Sequence, residues 1–353
     1  MAYARSRPLM PMGVLTAVMG MMLLSGAANT LLMKFMVVQQ VPTGPGEKAV
    51  GFDHPYFQTL LMMVGEFLCL IAYRTTTSGA DLKRATAVPV RIFGAASSLD
   101  WAATTLVNMS YVFIAASVVQ MTRGAIVIFT CLFSVLFLGR RQHGFHVVGV
   151  LLVACGITLV SLSALLTPAA QSNPVPMISK VFGISLCLIA QIFQASMLVY
   201  EEIILSRYDV PPLRVVGMEG LCGMGIGIVL LTALNLSHVE SAPAAMYQMG
   251  HSRPLAMAIV GSIFSIAIFN FAGVTVTQQA SAVARSTIDV SRTILIWVVE
   301  LTIGWNKFST LQLTGFMLVA LGTMMYNRLL VVPFLEPADE AKRLAAGGVG
   351  RAE

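Results

Sequence analysis

FHVVGVLLVACGITLVSLSALL, residues 145–166, decides the fold, because it contains no Asp, Glu, Lys or Arg. A helix needs about 20 predominantly apolar residues to cross a bilayer, and this stretch meets that length. The same criterion, applied outward along the chain, predicts an all-α integral membrane protein with about ten transmembrane helices. The predicted spans are residues 13–37, 56–73, 91–111, 115–138, 145–166, 181–204, 212–235, 254–275, 280–303 and 309–331.

The composition of the whole chain also indicates a membrane protein. Of the 353 residues, 57% are hydrophobic and 11% are charged, whereas soluble domains average about 25% charged residues. The net charge of +6 does not indicate nucleic-acid binding, because Lys and Arg occur singly or in pairs between apolar runs. All five cysteines lie within apolar stretches, so we predict no disulfide and no metal site.

The distribution of Lys and Arg predicts that both termini face the cytosol. Positively charged residues favour cytosolic loops, and with a cytosolic N-terminus the opposite side carries only Lys48, Lys180, Arg253 and Lys307. An odd number of spans would break this bias. The first apolar run follows two arginines, as a signal peptide would. It is longer than the apolar core of a signal peptide, which favours a retained first helix over a cleaved one.

The ten spans divide into two halves of five, and an odd number per half is what two inverted repeats require. The predicted organisation is a cytosolic N-terminus (1–12), a first five-helix repeat (13–166), a linker loop (167–180), a second repeat (181–331) and a cytosolic tail (332–353). Gly149 and Gly156 in the fifth span recur as Gly315 and Gly322 in the tenth. Their common spacing of seven residues predicts close helix packing, although Gly is frequent in membrane helices generally.

Charged residues inside the spans are the main functional signal. A charge at the centre of a bilayer costs about 2.5 to 3.5 kcal/mol, so such a residue normally faces a cavity or a partner. The mid-span charges are Glu66, Asp100, Arg123, Glu219, Arg285, Asp289 and Arg292, and those nearer the ends are Lys34, Glu201, Glu202 and Glu300. A network of ion pairs that only holds helices together is the alternative to a transport role. For Glu201 and Glu202 we expect a solvated rim.

The ninth predicted span concentrates charge on one helix face. Arg285, Asp289 and Arg292 follow at i, i+4 and i+7, so one pair can neutralise itself while the face stays net positive. With Arg123 from the fourth span, this face suits an anionic group or the carboxylates of other helices. The predicted substrate cavity comprises Gln120, Arg123, Gln191, Gln194, Asn270, Arg285, Asp289 and Arg292. Hydrogen bonding between helices explains the amide residues equally well.

Proton coupling, if present, would use mid-span carboxylates, and Glu66, Asp100 and Glu219 are the candidates. Enzymatic activity and a cofactor are not expected, because the sequence has no GxxxxGK[ST], HExxH or GxSxG motif. His143 and His146 are the only hint of a reactive cluster, and lone loop histidines are usually solvated.

Three stretches carry a resemblance to a known family: FDHPYFQTLLMMVGEFLCLIAYR (52–74), ASVVQMTRGAIVIFTCLFSVLFLGRR (116–141) and STIDVSRTILIWVVELTIGW (286–305). They resemble the drug/metabolite transporter superfamily, and more narrowly subfamily F of solute carrier family 35, related to nucleotide-sugar and chloroquine-resistance transporters. The resemblance implies two inverted five-helix repeats, a central cavity, alternating access and an endomembrane location. It also implies that Gln120, Arg123, Asp289 and Arg292 lie in the motif blocks that flank the cavity.

The sequence therefore predicts a membrane transporter, secondary-active or facilitative, that moves a small anionic or zwitterionic organic solute by alternating access. A non-transporting membrane receptor or scaffold with the same fold is the alternative. The expected partners are a small-molecule substrate and the lipid bilayer, with a homodimer left open and no nucleic acid. The resemblance favours the lysosomal membrane, with the Golgi or plasma membrane as alternatives.

Overall fold

A computed structural model describes residues 10–77, 88–138, 142–166, 176–208, 210–280, 282–305, 307–326 and 330. The predicted cytosolic tail (332–353) lies outside the described residues. So do most of the predicted N-terminal segment (1–12) and most of the predicted linker (167–180).

Helices make up almost all of the described chain. They are α1 Met12–Val38, α2 Pro55–Thr76, α3 Val90–Phe113, α4 Ala116–Thr122, α5 Ile126–Leu138, α6 Gly144–Leu166, α7 Met177–Arg207, α8 Pro212–Leu236, α9 Ala242–His251, α10 Arg253–Gln279, α11 Ala282–Ile303 and α12 Thr310–Tyr326. A single 3₁₀ turn, Arg123–Ala125, joins α4 to α5, and these three pieces form the fourth predicted span. Each of the ten predicted spans overlaps a helix.

Seven of these segments are long and apolar enough to cross a membrane: α1, α2, α4 with α5, α6, α7, α8 and α10. The α12 helix is apolar but shorter. The α3 and α11 helices have sufficient length but are more polar, and α11 carries four charged residues. The structure thus supports the all-α class of membrane protein, with seven candidate spans among the described residues, while the count of ten crossings stays a prediction.

A β-hairpin and a short helix were not predicted. Strands β1 (Gln40–Pro42) and β2 (Ala49–Gly51) pair antiparallel between α1 and α2, with Gly46 at a positive φ of 82° in the turn. The short helix α9 begins where the Ser241 side chain accepts a hydrogen bond from the Ala244 amide. Gln248 of α9 donates to the Val41 carbonyl at 2.8 Å, so the two elements pack on each other.

The main helices pack in pairs: α1 on α10, α3 on α7, α2 on α8, and α6 on α12. Glycines permit close approaches between paired helices, among them α6 and α12. A Cβ at Gly156 would lie 2.5 Å from the Gly315 carbonyl oxygen, and one at Gly149 would lie 2.8 Å from that of Gly322. The contacts are reciprocal, since a Cβ at Gly315 or Gly322 would meet the carbonyl of the same partner. The backbones of α6 and α12 therefore touch along this face.

The break between α3 and α4 is held by side chains from two other helices. Lys34 of α1 donates to the carbonyls of Tyr111 (2.7 Å) and Ile114 (3.1 Å). Glu300 of α11 accepts hydrogen bonds from the amides of Ala116 and Ser117, both at 3.0 Å. A cation thus meets a helix C-terminus and an anion meets a helix N-terminus, which is the favourable direction for both. We call this arrangement the α3–α4 clasp.

A similar contact closes the N-terminus of α2. The two carboxylate oxygens of Glu240, from the segment before α9, accept hydrogen bonds from the amides of Tyr56 (3.1 Å) and Phe57 (2.8 Å). Burial raises the pKa of Glu240 to about 7, although these two hydrogen bonds act in the opposite direction. Burial also raises the pKa of Asp53 and lowers that of His54 beside it.

Candidate functional site

A polar cavity lies between the helices. Its polar and charged lining residues are Asn29, Thr30, Glu66, Asp100, Thr104, Asn108, Tyr111, Arg123, Gln194, Asn270, Arg285, Ser286, Asp289 and Arg292. Its apolar lining residues are Met33, Met62, Met63, Val107, Ile126, Leu198, Ile266 and Phe269. These residues come from α1, α2, α3, the 3₁₀ turn, α5, α7, α10 and α11, so both halves of the chain build the cavity.

Most of the predicted substrate residues line this cavity: Arg123, Gln194, Asn270, Arg285, Asp289 and Arg292. Gln120 and Gln191 do not. Gln120 instead supports the wall, because its side-chain amide donates to Thr30 (3.1 Å) and to the Tyr111 hydroxyl (2.9 Å). The Gln191 amide donates to the carbonyl of Cys187 on its own helix at 3.1 Å.

Three residues form a group that we call the basic cluster: Arg123, Asp289 and Arg292. The Arg292 guanidinium lies 2.9 Å from one oxygen of Asp289, and that of Arg123 lies 3.7 Å from the other. The self-neutralising pair expected on the α11 face is thus Asp289 with Arg292, at i and i+3. Two cations share one anion, so the cluster has a formal charge of +1. Neither Arg123 Nε nor Arg292 Nε has a hydrogen-bond partner in the described part of the chain.

The position of Arg292 depends on neighbouring helices. Its guanidinium carbon lies 4.7 Å from the centre of the Phe269 ring, a cation–π distance. Gly26 of α1 leaves room for both side chains, because a Cβ there would lie 2.5 Å from the guanidinium and 2.7 Å from the ring. Arg292 is therefore held firmly at the cavity wall.

Arg285 has a partner that the sequence analysis placed elsewhere. Its guanidinium contacts both carboxylate oxygens of Glu201, at 3.0 and 2.9 Å, and Glu201 is 0% exposed. The expected solvated rim is therefore wrong for Glu201. The physical reason is the length of α7, which continues to Arg207 and keeps Glu201 inside the bundle. An arginine buried at membrane depth normally pairs with a buried anion. This expectation is the signal in the sequence that could have indicated a buried partner such as Glu201 for Arg285.

Glu66 and Asp100 form a second group, which we call the acidic cluster. Asn270 donates to Glu66 at 2.6 Å, and the Thr104 hydroxyl lies 3.5 Å from Asp100. Among the described residues neither carboxylate makes an ion pair within 4.0 Å. Glu219 of α8 is buried within electrostatic range of both carboxylates, but it does not line the cavity. One of its oxygens lacks a hydrogen-bond partner among the described residues.

Several polar lining residues were not predicted as cavity residues: Asn29, Thr30, Thr104, Asn108, Tyr111 and Ser286. Some of them form hydrogen bonds to neighbouring helices: the Asn108 amide donates to the Thr59 hydroxyl at 3.1 Å, and the Asn29 carbonyl oxygen accepts from the Ser265 hydroxyl at 3.1 Å. Uncharged polar residues of these types are tolerated in membrane helices without a ligand. Their sequence positions alone therefore carry little signal, unlike those of the charged residues.

Comparisons with known proteins identify relatives over most of the chain. The UAA transporter family matches residues 17–330. Solute carrier family 35 member F6 of Homo sapiens is 36% identical over 327 residues, which cover 88% of each chain. An uncharacterized protein of Schizosaccharomyces pombe is 31% identical over 332 residues, covering 89% of this chain and 98% of the other. A crystal structure with 12% identity has a TM-score of 0.60 over 90% of this chain and 98% of the other, which shows the fold alone.

Proposed function

The chain belongs to the UAA transporter family and to subfamily F of solute carrier family 35, in the drug/metabolite transporter superfamily, and from this premise we propose its cargo and mechanism. Membership of this family indicates a multi-pass membrane protein that transports small solutes rather than an enzyme. The proposed cargo is a small anionic or zwitterionic organic solute. The proposed mechanism is alternating access through the central cavity.

The observation that carries the proposal is the charged lining of the cavity. Within the described part of the chain, six charged residues line it: Glu66, Asp100, Arg123, Arg285, Asp289 and Arg292. Charges at membrane depth are expensive and normally face a pathway or a partner. The basic cluster keeps a formal charge of +1 after its internal pairing. It therefore suits the acidic group of a solute, since a guanidinium fits carboxylates and phosphates.

Helix packing supports two inverted five-helix repeats, at 13–166 and 181–331. In that scheme α1 is the first helix of one half and packs on α10, the third of the other. The reciprocal contact, between α3 and α7, is present as well. The α6–α12 contact joins the last helices of the two halves. Such reciprocal packing allows one half to rock against the other around a fixed site.

The proposal also covers the orientation of the protein in its membrane and the coupling of transport to protons. We place both termini in the cytosol and the protein in an endomembrane, with the lysosomal membrane first. Coupling to protons would use Glu66, Asp100 and Glu219, because no ion pair among the described residues holds any of the three. Asp100 is the one to test first. If it carries the proton, Asp100→Asn abolishes the pH dependence of uptake into proteoliposomes, and unchanged pH dependence removes Asp100 from that role.

Counterflow into reconstituted vesicles tests transport itself. Vesicles loaded with a mixture of anionic and zwitterionic metabolites are exposed to each labelled compound in turn. We expect accumulation of at least one compound, with loss of accumulation in Arg292→Gln. Absence of flux for every compound, with correctly folded protein in the vesicles, would refute transport of this class and favour the receptor or scaffold.

A further inference from the structure

The charges that line the cavity form two groups, the basic cluster and the acidic cluster, when the Arg285–Glu201 ion pair is set aside. Both carboxylate oxygens of Glu201 lie within 3.0 Å of the Arg285 guanidinium, and the two side chains are at most 7% exposed. This pair is neutral and closed, so Arg285 is not available to bind an external anion. The basic cluster and the acidic cluster remain as the two charged surfaces that a ligand can meet.

The basic cluster has unused capacity for an anion. Its single carboxylate, Asp289, lies 2.9 Å from Arg292 but 3.7 Å from Arg123, beyond hydrogen-bond distance. Arg292 is only 3% exposed, and its Nε has no hydrogen-bond partner in the described part of the chain. An unpaired buried donor is costly, and a charged one more so. An acidic group placed against Arg123 and Arg292 would remove that cost.

The acidic cluster has the opposite requirement. Glu66 and Asp100 are within electrostatic range of each other, and their hydrogen-bond donors are uncharged. Glu219 lies behind them with an unpartnered buried oxygen, within the described structure. Arg285 lies within electrostatic range of both carboxylates, but Glu201 neutralises its charge, and Arg123 lies within range of Asp100 alone. Among the described residues neither Glu66 nor Asp100 makes an ion pair within 4.0 Å, which favours a positively charged group in the adjacent space. An ammonium group has three donors and suits this position.

We infer that the cavity recognises a zwitterion, with the ammonium end against Glu66 and Asp100 and the acidic end against Arg123 and Arg292. This inference rests on the proposed transport function and narrows its cargo. An anion alone would leave the acidic cluster uncompensated, and a cation alone would leave the basic cluster uncompensated. The methionines and Phe269 in the lining supply an adaptable apolar surface for the part of the solute between its charges.

The test measures binding rather than flux, so that it can fail separately from the proposed function. Full-length protein in lipid nanodiscs is titrated with three matched series of compounds, and dissociation constants are obtained from thermal stabilisation. The first series contains α-amino acids and ω-amino acids of increasing chain length, which vary the distance between the charges. The second contains their N-acetyl derivatives, which keep only the anion, and the third their amides, which keep only the cation.

We expect at least one free amino acid to bind at least tenfold more tightly than both of its blocked derivatives. Equal binding of either derivative overturns the inference, and so does the absence of binding by any free amino acid. If counterflow fails for all solutes but this selectivity is found, transport is refuted and zwitterion binding stands. If a non-zwitterionic solute is transported and no amino acid binds, the inference is refuted and transport stands.

Variants assign each end of the ligand. Glu66→Gln and, separately, Asp100→Asn are expected to weaken binding of the zwitterion at least tenfold and to remove its advantage over the N-acetyl derivative. Arg123→Gln is expected to remove the advantage over the amide. Glu240→Gln makes the same chemical change outside the cavity and is the matched control, for which unchanged selectivity is expected. Folded carboxylate variants that retain wild-type selectivity would refute the assignment of the ammonium end.

Discussion

The contact between α6 and α12 provides a quantitative prediction, because two backbones meet there without a side chain between them. In Gly156→Ala the new Cβ would lie 2.5 Å from the Gly315 carbonyl oxygen and 2.7 Å from the Val319 amide nitrogen. Ordinary contact begins near 3.4 Å, so the helices must separate by about 1 Å. A backbone neighbour cannot rotate away, and overpacking of this kind costs about 1 to 3 kcal/mol.

The intrinsic preference of Ala for helix works in the other direction, by about 1 kcal/mol. Gly225→Ala on α8 is therefore the matched control, since a Cβ there meets no described atom within 4 Å and only the helix preference changes. We expect Gly156→Ala to be less stable than Gly225→Ala by about 1 to 3 kcal/mol. Unfolding by SDS in mixed micelles, followed by circular dichroism, measures the difference in free energy.

A double-mutant cycle tests whether close packing of the two helices causes the loss of stability. A Cβ at Gly315 would meet the Gly156 carbonyl oxygen at 2.7 Å, so both substitutions demand the same separation of the helices. The double variant Gly156→Ala/Gly315→Ala should therefore cost clearly less than the sum of the two single variants. Equal stability of Gly156→Ala and Gly225→Ala, or strict additivity in the cycle, would refute the reasoning.

Three further predictions concern buried charges. Glu201→Gln leaves Arg285 buried without its anion and should lower the free energy of unfolding by about 3 to 5 kcal/mol in the same SDS assay; a loss below about 1 kcal/mol would show that the pair is not buried as described. Glu300→Gln weakens the bonds to the amides of α4 and should cost about 1 to 3 kcal/mol, and no loss of stability in the same SDS assay would contradict this contact. The pKa of Glu240 is raised to about 7 from a usual value of 4.5, so its contribution to stability is present below pH 4.5 and is lost as the pH rises through 7. The thermal midpoint should fall across that range in the wild type and less steeply in Glu240→Gln, and identical pH profiles would contradict the assignment.

The sequence predicted the helices well because most spans are long apolar runs bounded by turn residues. It also identified most of the charged residues of the cavity, since a charge in an apolar run stands out. The errors came from position along a helix: Glu201 was placed at a solvated rim because the end of α7 was taken to be nearer than Arg207. Gln120 and Gln191 show a second limit of prediction from sequence. An amide that lines a cavity and one that supports its wall look the same in sequence, and only the packing separates them.

Close helix packing and the pairing of buried charges illustrate what a single sequence leaves to the structure. The reciprocal contacts of Gly149 with Gly322 and of Gly156 with Gly315 could not be distinguished in sequence from a general excess of glycine. Similarly, Glu66 and Asp100 make no ion pair with any residue that the structure describes, and this depends on which helices face each other. Neither property is encoded in a local pattern of residues.

The α3–α4 clasp has a consequence for the order in which the protein is made. The amides of Ala116 and Ser117 are bound by Glu300, which leaves the ribosome about 184 residues later. At 5 to 20 residues per second, the first half of the chain waits roughly 10 to 40 s for the group that completes its fourth span. Glu240 completes the start of α2 after a similar delay, 183 residues beyond Phe57. The first half therefore lacks the contacts of Glu300 and Glu240 at two helix N-termini until most of the second half has been synthesised.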